Sequence, residues 1–221
     1  MMTNLFSMFN PSSIFNLSLN WLSSMLIIIL VPTQFWILNS RMMKFMNISL
    51  NFLLKELILV MKNNNLVIIF LTLFLMILLN NFSGLMPFIF TSTSHLSMTL
   101  TFSVPMWLSL IMFSWLNNTN SMLSHLVPNS TPTLLMPLMV LIELTSNLIR
   151  PITLAVRLCT NMIAGHLLIT LLSSLNKSIS ILIFPLFLLV MWILLMLEIA
   201  VSIIQAYVFM TLSSLYSKET Y

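Results

Sequence analysis

Between residues 143 and 161 the chain reads ELTSNLIRPITLAVRLCTN, an apolar run in which ionisable or hydrogen-bonding groups recur every few positions. On a helical wheel advancing about 100° per residue, with Arg157 at zero, Arg150 falls at about +20°, and Glu143 and Asn161 fall at about +40°. Ser146 falls at about −20°, Thr153 at about −40° and Thr160 at about −60°. These residues share one face over about 27 Å of helix, close to the ~30 Å hydrocarbon thickness of a bilayer. A row of carboxylate, guanidinium, hydroxyl and amide groups at successive depths is suited to passing a proton or small ion across an oily layer.

A second polar face lies further along the chain. Relative to Glu198, Ser202 falls at about +40° and Gln205 at about −20°. If 138–173 and 179–216 form an antiparallel hairpin turning near Asn176, residue 195 is level with Arg157. Glu198 is then expected within about one turn of Arg157 in depth. His166 projects about 180° from Arg157 and so belongs to another surface of the helix. Pro151 interrupts the run and is a candidate kink.

The elements that carry these faces follow from composition. The 221 residues are 59% hydrophobic and 5% charged, with a mean hydropathy of +1.08. Soluble domains carry about 25% charged residues, so this chain cannot cover a water-facing surface. The sequence predicts an all-α integral membrane protein forming a single domain. Apolar runs at 21–38, 66–90, 96–116, 138–173 and 179–216 predict five crossings. Trp21 and Trp36 are expected as interface anchors of the first, and the last two are long enough to tilt as a hairpin. The cluster Asn80–Asn81 and Gly84–Pro87 is expected to interrupt the far end of the second span.

Half of the eight basic residues lie in 41–62, among Leu, Ile and Met. That stretch predicts an amphipathic helix lying on the membrane surface. The positive-inside rule puts 41–62, 117–137 and Lys218 inside, and the N-terminus, 91–95 and Lys177 outside. The single cysteine, Cys159, excludes an internal disulfide. His95, His125 and His166 are far apart and suggest no metal cluster. No basic or Arg-rich presequence is visible at the N-terminus. Twenty Met against two Gly fit an AT-biased genome, of which mitochondrial DNA is one example.

Two uses of the charges compete. Glu143, Arg150, Arg157 and Glu198 can pair and lock helices together. Against this, a charge at mid-bilayer costs at least ~2.5 kcal/mol and usually marks an ion or proton route. Arg157 is central, and polar groups accompany it at every depth.

These residues also resemble a known family. LAVRLCTNMIAGH is similar to the signature of subunit a of the F-type ATP synthase in its mitochondrial version. The resemblance runs from MMTNLFSMFNPSS through NNFSGLMPFIFTSTSHL, SHLVPNSTP and SNLIRPITLAVRL to YVFMTLSSLYS. Thr160 departs from it, standing where the family more often has a small residue such as Ala. The resemblance implies two offset aqueous half-channels against a rotating ring of c subunits, in the mitochondrial inner membrane. It implies that Arg157 is the essential arginine and Arg150 the second arginine. It also implies that Glu143, Asn161, His166, Glu198 and Gln205 line the path, with Ser146, Thr153 and Ser202 as supporting polar groups. The partners implied are the c-ring, other F0 and peripheral-stalk subunits, the lipid bilayer and protons. No cofactor, metal or nucleic acid is implied, and the subunit is not catalytic alone.

Two other classes would read differently. A secondary transporter often carries internal repeats with broken helices in corresponding halves, and none is visible here. A non-conducting assembly subunit of another respiratory complex would not need a polar stripe spanning one helix. Co-purification with a ring of small hairpin subunits separates the three.

Overall fold

The computed structural model describes residues 5–12, 18–29, 31, 38–61, 64–86, 89–127, 132–175 and 184–220. Among them there is no strand. The helices are α1 (Leu22–Ile29), α2 (Arg41–Val60), α3 (Asn64–Leu85), α4 (Leu96–Asn117), α5 (Thr119–His125), α6 (Met136–Leu175) and α7 (Phe184–Thr220). Four of these, α3, α4, α6 and α7, are long and apolar enough to cross a membrane. Of the first expected span, 21–38, the described helix is the eight-residue α1; residue 30 and residues 32–37, Trp36 included, lie outside the described residues.

Local chemistry sets the helix ends. Ser40 caps α2, its hydroxyl accepting from the Met43 backbone N–H at 3.4 Å, which satisfies one of the amides left open at a helix start. A buried turn, Ser92–Ser94, leads into α4, with the Ser94 hydroxyl donating to the Thr91 carbonyl at 2.7 Å. Trp21 does not stand alone at the start of α1: its ring packs 5.6 Å from Phe90 and 5.2 Å from His95.

The sequence expectation for α3 holds at Gly84–Pro87, where the helix ends, and needs correction at Asn80–Asn81. Asn80 and Asn81 do not break the helix, which continues to Leu85. The Asn80 side-chain amide donates to the Met76 carbonyl at 2.9 Å, and both asparagines are buried. An amide whose donors are taken up by the helix and its neighbours has no reason to end it. The polar stretch after α4 likewise holds a short helix, α5.

α6 runs unbroken as a helix through Pro151 for 40 residues, about 60 Å at 1.5 Å per residue. α7 runs 37 residues, about 55 Å. Helices this long fit a ~30 Å hydrocarbon layer only when steeply inclined or projecting from it. α3 packs on α7, α4 on α6 and α6 on α7, while α2 closes against α3 and α7. The apolar core between them holds Leu57, Val67, Phe70, Ile77, Leu154, Leu158, Ala206 and Met210. The Tyr207 hydroxyl donates to Glu56 Oε2 at 3.3 Å, a further link between α7 and α2.

Among the described residues, Ser, Thr, Asn, Gln and Glu are buried nearly as often as apolar residues, while the exposed surface is rich in Leu, Ile and Met. Lipid is as apolar as leucine, so helices associate through close packing and polar contacts rather than by hiding oil. Only 11% of the most apolar part of α7 is buried, which leaves much of that helix for lipid or another subunit.

Candidate functional site

α6 presents two faces. Pro151, Leu154, Ala155, Leu158, Cys159 and Met162 are buried, and the Cys159 thiol donates to the Ser94 carbonyl at 2.8 Å. Thr153, Arg157, Thr160 and Asn161 lie on the exposed side. Their hydroxyls are held locally, Thr153 donating to the Arg150 carbonyl at 2.8 Å and Thr160 to the Val156 carbonyl at 2.9 Å. Among the described residues the one ion pair is between Arg150 and Glu143, so Arg157 has no carboxylate partner there. Across the helix boundary, Gln205 on α7 is the polar residue that shares a crevice with it. The two line a crevice of ≈ 10 Å³ with Leu154, Leu158, Val208 and Phe209, room for about one water.

Towards the start of α6 lies a polar cluster built from three helices. Arg150 Nη2 donates to Glu143 Oε1 at 3.3 Å, two turns away on the same face. The Ser146 hydroxyl donates to the Glu143 backbone carbonyl at 2.8 Å. The Arg150 guanidinium carbon stands 4.9 Å from the ring centre of Tyr216 on α7 and 6.0 Å from that of Trp107 on α4. Beside these rings, the Ser103 hydroxyl and the Trp107 Nε1–H are buried without a protein partner. They border a second small cavity of ≈ 10 Å³, also lined by Pro151, Ser213 and Tyr216.

Towards the other end of α6 lies a second cluster. Glu198 is 7% exposed, and neither carboxylate oxygen has a protein hydrogen-bond partner. His166 Nε2, next to Gly165 on α6, and Asn81 Oδ1 are buried in the same condition. The Asn81 side-chain amide donates to the Ser202 carbonyl at 3.4 Å, tying α3 to α7 one turn after Glu198. The His166 ring meets Phe9 edge-on at 6.4 Å. A buried carboxylate without a donor is costly as an anion, so these groups call for water or a shared proton.

Gly165 makes room for Glu198. A Cβ at Gly165 would lie 2.9 Å from Glu198 Oε1. This contact corrects the expected register of the hairpin. Glu198 lies beside Gly165, eight residues or about 12 Å along α6 from Arg157, rather than within one turn of it. Gln205, not Glu198, shares a crevice with Arg157. Both pairings are symmetric about a point roughly five residues beyond Asn176, where the sequence had suggested the turn. The connection 176–183, with Lys177, lies outside the described residues.

Glu198, Ser202 and Gln205 share a buried face of α7, at 7%, 1% and 7% exposure. Asn81, Trp107, Tyr216 and Gly165 stand with the expected residues although sequence reasoning did not select them. For Asn81 a signal existed: an amide inside an apolar helix is expensive to leave in lipid and turns inward. For Trp107 and Tyr216 there was none, since aromatic residues are ordinary in such helices. No three His, Cys, Asp or Glu among the described residues converge to hold a metal.

Long apolar helices with polar groups buried between them, and an arginine that lacks a carboxylate partner among the described residues, define the class: a multi-pass α-helical membrane protein. A family model for the ATP synthase A chain matches residues 14–218. ATP synthase subunit a of Drosophila yakuba is 53% identical over 222 residues, covering 99% of both chains. That of Locusta migratoria is 51% identical over 225 residues, covering all of both, and that of Anopheles gambiae 51% over 224 residues and 99% of both. The chain belongs to the ATP synthase A chain family.

Proposed function

We propose that the chain is the proton-conducting stator subunit of the F0 sector of a mitochondrial F-type ATP synthase, with Arg157 separating two aqueous half-channels. The observation that carries this reading is the position of Arg157: without a carboxylate partner among the described residues, on the uncovered face of α6, between two clusters of buried polar groups. A membrane subunit of this kind is not catalytic alone. It couples proton flow to rotation of a c-ring, and other F0 and peripheral-stalk subunits hold it against that ring in the inner membrane.

The uncovered face with Thr153, Arg157, Thr160 and Asn161 is the surface offered to the ring. A ring carboxylate arriving at Arg157 is held ionised, because a neighbouring cation lowers its pKa. Arginine keeps its own proton throughout, so it cannot relay one. The carboxylate leaves this position only by taking a proton from a half-channel, since an anion facing lipid is costly. Protons released on one side and taken up on the other therefore cannot cross without turning the ring. The potential supplies roughly 2.3 kcal/mol per charge per 100 mV.

With the basic stretch 41–62 on the matrix side, Glu143 serves release to the matrix, with Arg150 paired to it. Glu198 and His166, with Ser202 and Asn81 beside them, serve loading from the intermembrane space. Gln205 lies at the boundary, beside Arg157.

The test is Arg157→Ala and Arg157→Gln in the assembled complex. Proton-driven ATP synthesis is expected to vanish while the complex still assembles. Arg157→Lys is expected to fail as well, because a buried lysine can lose its proton. Synthesis near the wild-type rate in Arg157→Ala would remove Arg157 as the barrier.

A further inference from the structure

Arg150 is the charge in this region whose use is least explained by a proton path, since it cannot relay a proton and already has a carboxylate partner. Its surroundings are specific. Its guanidinium carbon lies 4.9 Å from the Tyr216 ring centre and 6.0 Å from the Trp107 ring centre. Those two rings meet edge-to-face, 5.1 Å apart at 80°. One ring comes from α7 and one from α4, while Arg150 and Glu143 both stand on α6.

We propose that Trp107 and Tyr216 form an aromatic clamp that positions Arg150 on Glu143 and keeps this second cation away from the ring-facing surface. The proposal rests on the reading of Glu143 as part of the release route. A ring carboxylate must meet one fixed cation, Arg157, on the exposed face of α6. Arg150 lies only two turns from Arg157 and near it in angle, about 20° away on the wheel. Its side chain is 25% exposed, so a free rotamer could swing out towards the same surface. A second cation there would hold the departing carboxylate ionised and would leave Glu143 unpaired. Aromatic faces attract a guanidinium through the ring quadrupole, and they do so without adding a second carboxylate to the release route.

The indole N–H does not explain Trp107. It is buried and has no protein hydrogen-bond partner, so the face of the ring is what Arg150 uses. The distinction makes the proposal testable, because phenylalanine keeps an aromatic face and leucine keeps bulk alone. On the α4 side, no residue between Leu96 and Asn117 is charged; α7 contributes Tyr216 to the ring contact and carries Lys218 two residues further on.

The experiment measures ATP synthesis per assembled complex in vesicles for Trp107→Phe, Trp107→Leu, Tyr216→Phe and Tyr216→Leu, each also in a Glu143→Gln background. The Phe variants are expected within about twofold of wild type. The Leu variants are expected to be slower by about two- to thirtyfold, the range that a cation–π contact spans. In the Glu143→Gln background the Leu substitutions should add little, because the pair they position is already lost. Three results overturn the clamp: a Phe variant as slow as the Leu variant, which would place the role in the N–H or hydroxyl; Leu variants that lower only the amount of assembled complex, which would make both rings mere packing; or an undiminished Leu effect in the Glu143→Gln background. Arg157→Ala measured in parallel keeps the two questions apart, since its activity decides the proton-path reading and the cycle decides the clamp.

Discussion

Replacing Gly165 by alanine probes the contact between α6 and α7 with the least chemical change. The added Cβ would stand 2.9 Å from Glu198 Oε1, 3.0 Å from Cδ and 3.2 Å from Cγ, against 3.4–4 Å for ordinary contact. The carboxylate must therefore retreat by about 0.5 Å or turn to another rotamer. Overpacking a filled site costs about 1–3 kcal/mol, and the low end applies because a flexible side chain yields before backbone does. About 1 kcal/mol on the loading step slows it roughly fivefold. The assay is ATP synthesis by vesicles containing the assembled complex, normalised to its amount, with the outside pH varied at fixed matrix pH. Gly165→Ala should be slowed about fivefold, and Glu198→Asp in the same chain should recover part of the loss, because the shorter side chain withdraws from the new methyl. Full activity in Gly165→Ala, or no relief from Glu198→Asp, would refute the argument that Gly165 exists to seat Glu198.

The two carboxylates should differ in which side they sense. Glu198→Gln is expected to make synthesis depend most on outside pH, and Glu143→Gln most on matrix pH, both less severely than loss of Arg157; equal responses to the two sides would make these carboxylates structural. A cysteine at Lys55 should react with an impermeant reagent from the matrix side only, and labelling from the intermembrane space would reverse the orientation and the half-channel assignment with it. Asn81→Leu should slow loading by about two- to tenfold, since it removes the amide that meets the Ser202 carbonyl, a hydrogen bond worth ~0.5–1.5 kcal/mol net; unchanged synthesis at low and high outside pH would exclude Asn81 from the loading cluster.

Much of the molecule was legible in the sequence because it is written in local periodicity. Apolar runs marked α3, α4, α6 and α7 to within a few residues at most ends, since lipid admits little but a long apolar helix. The early end of α3, at Leu85, comes just before Met86 and Pro87, where a ring without an N–H cannot extend the helical ladder. The wheel also separated Arg157 from His166: Arg157 is exposed, whereas His166 is half-buried with a buried Nε2.

What sequence alone determined is therefore the four long helices and the amphipathic α2, the polar faces of α6 and α7, and the family signature around Arg157. Tertiary structure decided how those faces meet. It put Gln205, not Glu198, beside Arg157, brought Asn81 from α3 to the Glu198 cluster, and enclosed Arg150 between Trp107 and Tyr216. The reason is physical. A helix repeats every 3.6 residues whatever surrounds it, so its faces follow from the chain itself. The register between two helices depends instead on which small residue admits which side chain, and a connection of several residues leaves that register free to shift. Here the gap at Gly165, filled by the Glu198 carboxylate, fixes it.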